Sequence, residues 1–261
     1  MKLTFINPGF EYSVDSILLF QTEDETPYWS DTLLYFYPHL DAAQLRGHDS
    51  TCKKAYLMEA LAGTYASLEP EINGKIERYA AHWSKYNPQI EDALSEAFDL
   101  DTRSLFNDIV AGITLNPVCP RFLNERRFDI FHKNSERGAL GIAIHEIIHF
   151  LWFYVWHRRF GDSYEEYETP SLKWILSEMV VESIMRDERL SRINPYFPRE
   201  NGGCVYGYFQ DMIIDGAFIL ETLDHMYRRM SIADFMQESY RYCERFEPEI
   251  RKHIHEAERA F

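Results

Sequence analysis

The sequence predicts an α+β protein that is predominantly helical and carries a small sheet. Over most of the 261 residues, apolar side chains recur at three- and four-residue spacings, which is the period of an amphipathic helix. Short β-prone runs interrupt this pattern and predict strands at the N-terminus, at Ala111–Leu115 and at Arg127–Phe131. With 46% hydrophobic and 15% aromatic residues, the chain can bury a substantial core as one large domain or as two lobes.

The N-terminal part is predicted to be one strand followed by helices. The strand ends at Asn7-Pro8-Gly9, which is a turn signal. Four helices follow, and proline or glycine residues punctuate the helical pattern. Their predicted bounds are 31–45, 51–68, 71–86 and 88–98, and the punctuating residues are Pro38, Gly47, Pro70 and Pro88.

The second half of the chain is predicted to be helical throughout. An apolar helix is expected over 139–156, with Asn134 and Ser135 able to cap its start. The next helix opens at Thr169-Pro170-Ser171, with Thr169 as N-cap and Pro170 at the first helical position. Beyond a turn at 194–198, three more helices are expected at 209–230, 232–245 and 248–260.

The helical period breaks near 160–170, where Gly161-Asp162-Ser163 and an acidic run stand. This break predicts two lobes, 1–165 and 166–261, or one structural domain with a cleft between those parts. The second lobe is expected to be helical.

The central feature is the pentapeptide His145-Glu146-Ile147-Ile148-His149, a HExxH sequence inside the apolar helix. Two histidines four residues apart lie about 40° apart on one helix face, so one zinc ion can take both imidazoles. Glu146 lies about 100° round from His145, where it could reach a water on the metal and act as general base. A metal would satisfy polar groups that are costly to bury in so apolar a run. A core helix whose histidines hydrogen-bond to neighbouring groups is the alternative.

A third metal ligand is expected from outside this helix. Glu178 and Glu182 share a face of the following helix, where a cation would relieve the repulsion between two carboxylates four residues apart. The alternative is a solvated acidic face paired to Lys173 or Arg186. Other candidate ligands in or beside the polar connecting segment are His157, Glu165, Glu166 and Glu168.

These two segments resemble the gluzincins, the thermolysin-like class of zinc metallopeptidases. In that class a second helix supplies a glutamate ligand and, four residues later, an acidic group, a pattern matched by Ser177-Glu178-Met179-Val180-Val181-Glu182. The resemblance covers roughly residues 110–185. It implies a zincin-like fold with a small sheet beside the active-site helix, and a zinc ion held by His145, His149 and Glu178. It also implies that Glu182 hydrogen-bonds a ligand histidine.

Two further expectations concern the substrate and the subclass of metallopeptidase. The resemblance implies that one of the two internal strands could pair with an extended peptide. The metzincin subclass is excluded, because Trp152 and Val155 stand where its glycine and histidine would be required.

An oxyanion-stabilising donor is also expected beside the metal. A glycine-rich turn, Gly202-Gly203, precedes Tyr206 and Tyr208, and a later helix carries His225. These three side chains are the candidate donors, and packing is the alternative role for each. Cys204 is a candidate inhibitory zinc ligand.

Composition limits the partners and the compartment. The formal net charge of −15 argues against a nucleic-acid partner. The four cysteines form no CxxC pair, and the N-terminus lacks the long apolar stretch of a secretory signal, so a cytoplasmic location with reduced thiols is expected. The apolar run 138–156 is nearly long enough to span a bilayer, but no second comparable stretch accompanies it, and no membrane partner is expected.

The sequence therefore predicts a zinc-dependent hydrolase, namely a metallopeptidase acting on a peptide or protein substrate. The alternative is a non-catalytic zincin-like metal-binding domain that acts in protein interaction or regulation. An apolar helical scaffold with an accidental motif would bind no metal.

Overall fold

The computed structural model of the protein describes residues 1–21, 27–46, 48–195 and 205–259. The described chain is predominantly helical with a small sheet, which confirms the predicted class at that level. Contacts divide it into two compact units that alternate along the sequence. Of the described residues, one unit contains 2–85 and 107–140; the other contains Met1, 86–106 and 141–259. The lobes 1–165 and 166–261 stay a prediction.

The secondary-structure elements have the following bounds. The strands are β1 (Leu3–Ile6), β2 (Ile109–Thr114), β3 (Arg121–Phe122), β4 (Arg127–Phe131), β5 (Ile213–Ile214) and β6 (Ala217–Phe218). The helices are α1 (Phe10–Leu18), α2 (Pro27–Phe36), α3 (Ala42–Leu45), α4 (Ser50–Phe98), α5 (Glu136–Phe160), α6 (Leu172–Met185), α7 (Glu188–Ser191), α8 (Gly207–Gln210), α9 (Ile219–Tyr227), α10 (Ile232–Arg245) and α11 (Glu247–Arg259). A 3-10 helix covers Tyr164–Tyr167.

The first unit is built on a four-stranded sheet with the order β1-β2-β4-β3. β1, β2 and β4 are parallel, with Leu3 opposite Ile109 and Val110 opposite Arg127 in the register. Nearly every residue of β2 and β4 is buried, as is typical of parallel strands covered on both faces. The three predicted strands are thus confirmed, and β3 is an addition.

The position of the strands corrects one expectation. β2 lies between β1 and β4, and β4 lies between β2 and β3, so the sheet edges are β1 and β3. A substrate peptide therefore cannot add to β2 or β4 as an edge strand. The sequence could not show this, because strand order depends on long-range pairing.

The predicted breaks in the N-terminal helices are wrong at two prolines. α4 is one helix of 49 residues that runs through both Pro70 and Pro88. A proline removes only one helical hydrogen bond, and burial of a continuous apolar stripe on both sides compensates for this loss. The stripe consists of Leu57, Leu61, Tyr65, Ile72, Tyr79, Trp83, Ile90 and Leu94.

The two predicted helices, one with the HExxH segment and the next along the chain, are confirmed, but their ends differ from the prediction: the first spans 136–160 rather than 139–156, and the second has a different N-cap. α5 begins at Glu136, and Ser135 accepts a hydrogen bond from the Gly138 backbone at 3.1 Å. α6 begins at Leu172 because Ser171 accepts a hydrogen bond from the Trp174 backbone at 3.1 Å, which makes Ser171 the N-cap in place of Thr169. In the described chain, α5 is the one helix whose length and composition would allow it to cross a membrane, and 72% of its most apolar window is buried.

A hairpin interrupts the helix predicted over 209–230. β5 and β6 pair in antiparallel fashion, and both Asp215 and Gly216 have positive φ. The dipeptide Asp-Gly is a strong sequence signal for a tight hairpin turn, so the hairpin could have been predicted from the sequence. The helices predicted over 232–245 and 248–260 correspond to α10 and α11.

Candidate metal centre

The candidate site lies on α5 and α6, within the unit that contains the chain from 141 onward. Both helices are buried on nearly all sides, so the polar side chains that they carry are enclosed by apolar ones. His149 is fully buried, Glu146 and Glu178 are each 7% exposed, and His145 keeps partial access to solvent. An enclosed group of this kind requires partners for its polar atoms.

The helical repeat and the packing of α6 bring four of the predicted side chains together. The Nε2 atoms of His145 and His149 lie 3.1 Å apart. The carboxylate oxygens of Glu178 lie 4.0 Å from His145 Nε2 and 3.6 Å from His149 Nε2. Glu146 Oε1 lies 3.9 Å from His145 Nε2. Two imidazoles therefore lie close to two carboxylates.

His145, Glu146 and His149 form a group that could hold a metal ion, since their ligand atoms all lie within 4.8 Å of one another. Glu178 lies beyond normal hydrogen-bond distance of both imidazole nitrogens, whereas those two nitrogens lie within hydrogen-bond distance of each other. The alternative of a solvated acidic face at Glu178 and Glu182 is wrong, because both carboxylates are buried.

Glu182 is 2% exposed and lies one helical turn beyond Glu178. Its Oε1 forms an ion pair with Arg186 at 3.3 Å on the same helix. Arg186 is one of the two cations that the sequence suggested as partners. The role of Glu182 as a hydrogen-bond partner of a ligand histidine stays a prediction.

The other candidate third ligands are engaged elsewhere or exposed. His157 Nδ1 lies 2.6 Å from the backbone oxygen of Asp162, and its ring stacks on Tyr164. Glu166 is bonded to Lys173 at 2.5 Å. Glu165 and Glu168 are exposed in the segment between α5 and α6. Among the candidates that the sequence offered, Glu178 is the one for which short distances to both imidazoles are observed.

The candidate oxyanion donors are distributed over two helices. Tyr206 stands at the N-cap position of α8 without a side-chain capping hydrogen bond. Its ring packs against Trp174, which precedes Glu178 by one turn of α6, with ring centroids 5.9 Å apart. Tyr208 stacks on Tyr206 at 5.2 Å. His225 is exposed on α9. The catalytic role of these three residues stays a prediction, and Cys204 with the Gly202-Gly203 turn lies outside the described residues.

Sequence reasoning missed Asp162, which it treated only as part of a break between helices. Its carboxylate receives hydrogen bonds from Trp156 on α5 and Lys173 on α6. The available signal was a short acidic loop closely followed by a lysine. Comparison of the chain with protein-family models, curated proteins and solved structures finds no match.

Proposed function

We propose that the protein is a zinc-dependent hydrolase of the zincin-like type, a metallopeptidase that cleaves peptide bonds in a peptide or protein substrate. One observation carries the proposal: two imidazole nitrogens 3.1 Å apart face the Glu178 carboxylate inside a buried pair of helices. Cytoplasmic location and the absence of nucleic-acid and membrane partners belong to the same proposal and rest on the sequence.

The separations between the donor atoms agree with a tetrahedral zinc site. Ligands about 2.0–2.1 Å from zinc at the tetrahedral angle lie about 3.3 Å from one another. The Nε2 atoms of the two histidines lie 3.1 Å apart. Glu178 Oε1 lies 3.6 Å from His149 Nε2, and Glu178 Oε2 lies 4.0 Å from His145 Nε2. These separations are within about 0.7 Å of the ideal value, and a rotation of the carboxylate that turns one oxygen toward both nitrogens would complete the site.

The donor set favours zinc in a catalytic role. Imidazole nitrogen is a preferred ligand of zinc, and three protein ligands leave a fourth position for water or substrate. His145 is the most exposed member of the group, at 16% of its side chain, so solvent reaches the group from its side. A structural zinc site would instead have four protein ligands.

Bound zinc would polarise the scissile carbonyl and lower the pKa of water at that position. Glu146 carries the proton: its carboxylate accepts a proton from the attacking water and gives it to the leaving amine nitrogen. The low exposure of Glu146, 9% of its side chain, keeps bulk water from competing for that proton. Tyr206, with Tyr208 and His225 as alternatives, would donate a hydrogen bond to the developing oxyanion.

The test combines metal content with hydrolysis. Untagged protein purified without chelator is analysed by inductively coupled plasma mass spectrometry and is assayed against a mixture of unstructured peptides. We expect about one zinc per chain, and we expect Glu146→Gln to keep the metal while it loses hydrolysis by about 10²- to 10⁴-fold.

Each outcome has a defined meaning. Activity retained in Glu146→Gln would refute the proposed mechanism. Metal without hydrolysis, in the parent and on every peptide, would favour a non-catalytic metal-binding domain. If the protein takes up no zinc even when zinc is offered, the HExxH sequence is an accidental motif in an apolar helical scaffold.

A further inference from the structure

Trp156, Asp162 and Lys173 form a side-chain bridge between the end of α5 and the start of α6. Trp156 Nε1 donates a hydrogen bond to Asp162 Oδ2 at 2.8 Å, and Lys173 Nζ contacts the same oxygen at 2.6 Å. The bridge is shielded, since Trp156 is 3% exposed and the side chains of Lys173 and Asp162 are 15% and 23% exposed. A shielded charge pair with a shared acceptor holds its geometry better than a surface ion pair.

The backbone of Asp162 is held as firmly as its side chain. Its carbonyl oxygen lies 2.6 Å from His157 Nδ1 and accepts a hydrogen bond from the Tyr167 hydroxyl at 3.3 Å. Tyr167 is fully buried and stacks on Phe153 of α5 at 4.5 Å. Asp162 is therefore fixed to α5 at several points, and Lys173 ties α6 to this fixed group.

The charges of the pair support each other. Burial alone would raise the pKa of Asp162, but hydrogen bonds from Lys173 and Trp156 outweigh burial and lower that pKa below its ordinary value. Burial also opposes the charge on Lys173, yet Asp162 and Glu166 raise its pKa. The bridge is therefore an ion pair throughout the neutral pH range.

The bridge and the candidate metal centre are two contacts along the same pair of helices. Trp156 follows His149 by seven residues, about two turns, so both project to nearly the same side of α5. Lys173 precedes Glu178 by five residues, which is about 7.5 Å along α6 and about 140° round it. Since Lys173 lies at the bridge and Glu178 lies 3.6 Å from His149, α6 runs back along α5 from the bridge to the centre. An axial shift of α6 by the rise of one residue would move Glu178 by about 1.5 Å, which is large beside that separation.

We propose that Asp162 and Lys173 are positioning residues that fix the axial register of α6 against α5 and thereby place Glu178 opposite His145 and His149. Neither residue belongs to the candidate metal group. This inference rests on the proposed function, because the register matters for metal binding only if Glu178 is a ligand. The competing possibility is a bridge that stabilises the connecting segment without affecting the centre.

The experiment compares Lys173→Met, which removes the ion pairs with Asp162 and Glu166, with Lys173→Arg, which keeps a cation at that position. Lys252→Met is the matched control, since Lys252 makes an exposed ion pair with Glu256 on α11. Zinc affinity is measured by competition with a chromophoric chelator, and thermal unfolding is followed on metal-free protein. The imidazole nitrogen resonances of His149 are recorded in metal-free protein labelled with ¹⁵N-histidine.

We expect Lys173→Met to weaken zinc binding by about 10-fold or more, as removal of supporting groups around metal ligands typically does. It should also shift the His149 imidazole resonances, whereas Lys173→Arg and Lys252→Met should leave both readouts close to those of the parent. A Lys173→Met protein that melts earlier but keeps parental zinc affinity and His149 resonances would overturn the inference. If the parent binds no zinc, the proposed function fails separately, and unchanged His149 resonances in Lys173→Met would then overturn the positioning role as well.

Discussion

Glu178→Gln is the substitution that most directly tests the assignment of the third ligand. Glutamine keeps the size of the side chain and removes its negative charge. Glu178 is 7% exposed and lies within 4.0 Å of both imidazoles. We expect zinc affinity to fall by about 100-fold.

The expected loss of affinity follows from the contribution of one ligand to the free energy of zinc binding. Zinc binds four-ligand structural sites with about 10–16 kcal/mol, or about 3 kcal/mol per ligand. This corresponds to about two orders of magnitude in the dissociation constant, since 1.4 kcal/mol is a factor of ten.

The assay is a chelator competition titration, combined with thermal unfolding of the metal-free protein. Glu146→Gln is the control, because its side chain is exposed to the same 9% and loses the same charge. Glu146→Gln should bind zinc within a few-fold of the parent. Parental affinity in Glu178→Gln, or an equal loss in both variants, would refute the assignment. Unchanged affinity with a clearly lower melting temperature would make Glu178 a structural partner of the imidazoles.

Three further predictions concern stability. Burial raises the pKa of Asp129 to about 6, although Ser16 and Tyr12 donate hydrogen bonds to it, so the folded state loses stability as pH rises from 4 through 6. In urea unfolding, the free energy of unfolding of Asp129→Asn should therefore exceed that of the parent by up to about 3 kcal/mol at pH 7 and by much less at pH 4. An equal difference at both pH values would contradict this prediction. Gly112→Ala should lower the free energy of unfolding by about 1–3 kcal/mol, because the new Cβ would lie 2.9 Å from Asp129 Oδ1. Gly63→Ala, within α4, places its Cβ where no atom lies within 4 Å and should raise the free energy of unfolding by up to about 1 kcal/mol. The same sign for both glycines would be inconsistent with that reasoning. Ser171→Ala should lower the free energy of unfolding by about 1 kcal/mol through loss of the N-cap of α6. An unchanged free energy of unfolding would show that Ser171 is not the stabilising N-cap.

Much of the local structure follows from the sequence because it depends on neighbouring residues. The apolar period and the Ser135 cap define α5, and the helical repeat alone places His145 and His149 on one face. The β-prone runs similarly define β1, β2 and β4. The Asp215-Gly216 signal for the hairpin was also local, but the surrounding helical pattern masked it.

Other features depend on what the folded chain buries. Pro70 and Pro88 carry local signals for helix ends, yet α4 continues because its apolar stripe is buried on both sides of each proline. Strand order removes β2 and β4 from the sheet edges through pairings that span many residues. Such pairings are decided by the free energy of the whole unit rather than by any short segment.

The same division applies to the candidate centre. The sequence by itself determined the pair of histidines and the adjacent glutamate, since one helix fixes their mutual positions. It predicted Glu178 as the third ligand, through a resemblance, and gave His157, Glu165, Glu166 and Glu168 as other candidates, but it could not give the distance of any of them from the histidines. Only the packing of α6 against α5 brought the Glu178 carboxylate within 3.6 Å of His149, and it left Glu166 bonded to Lys173. Distances between helices are set by side-chain packing across the interface, which the period of a single helix does not encode.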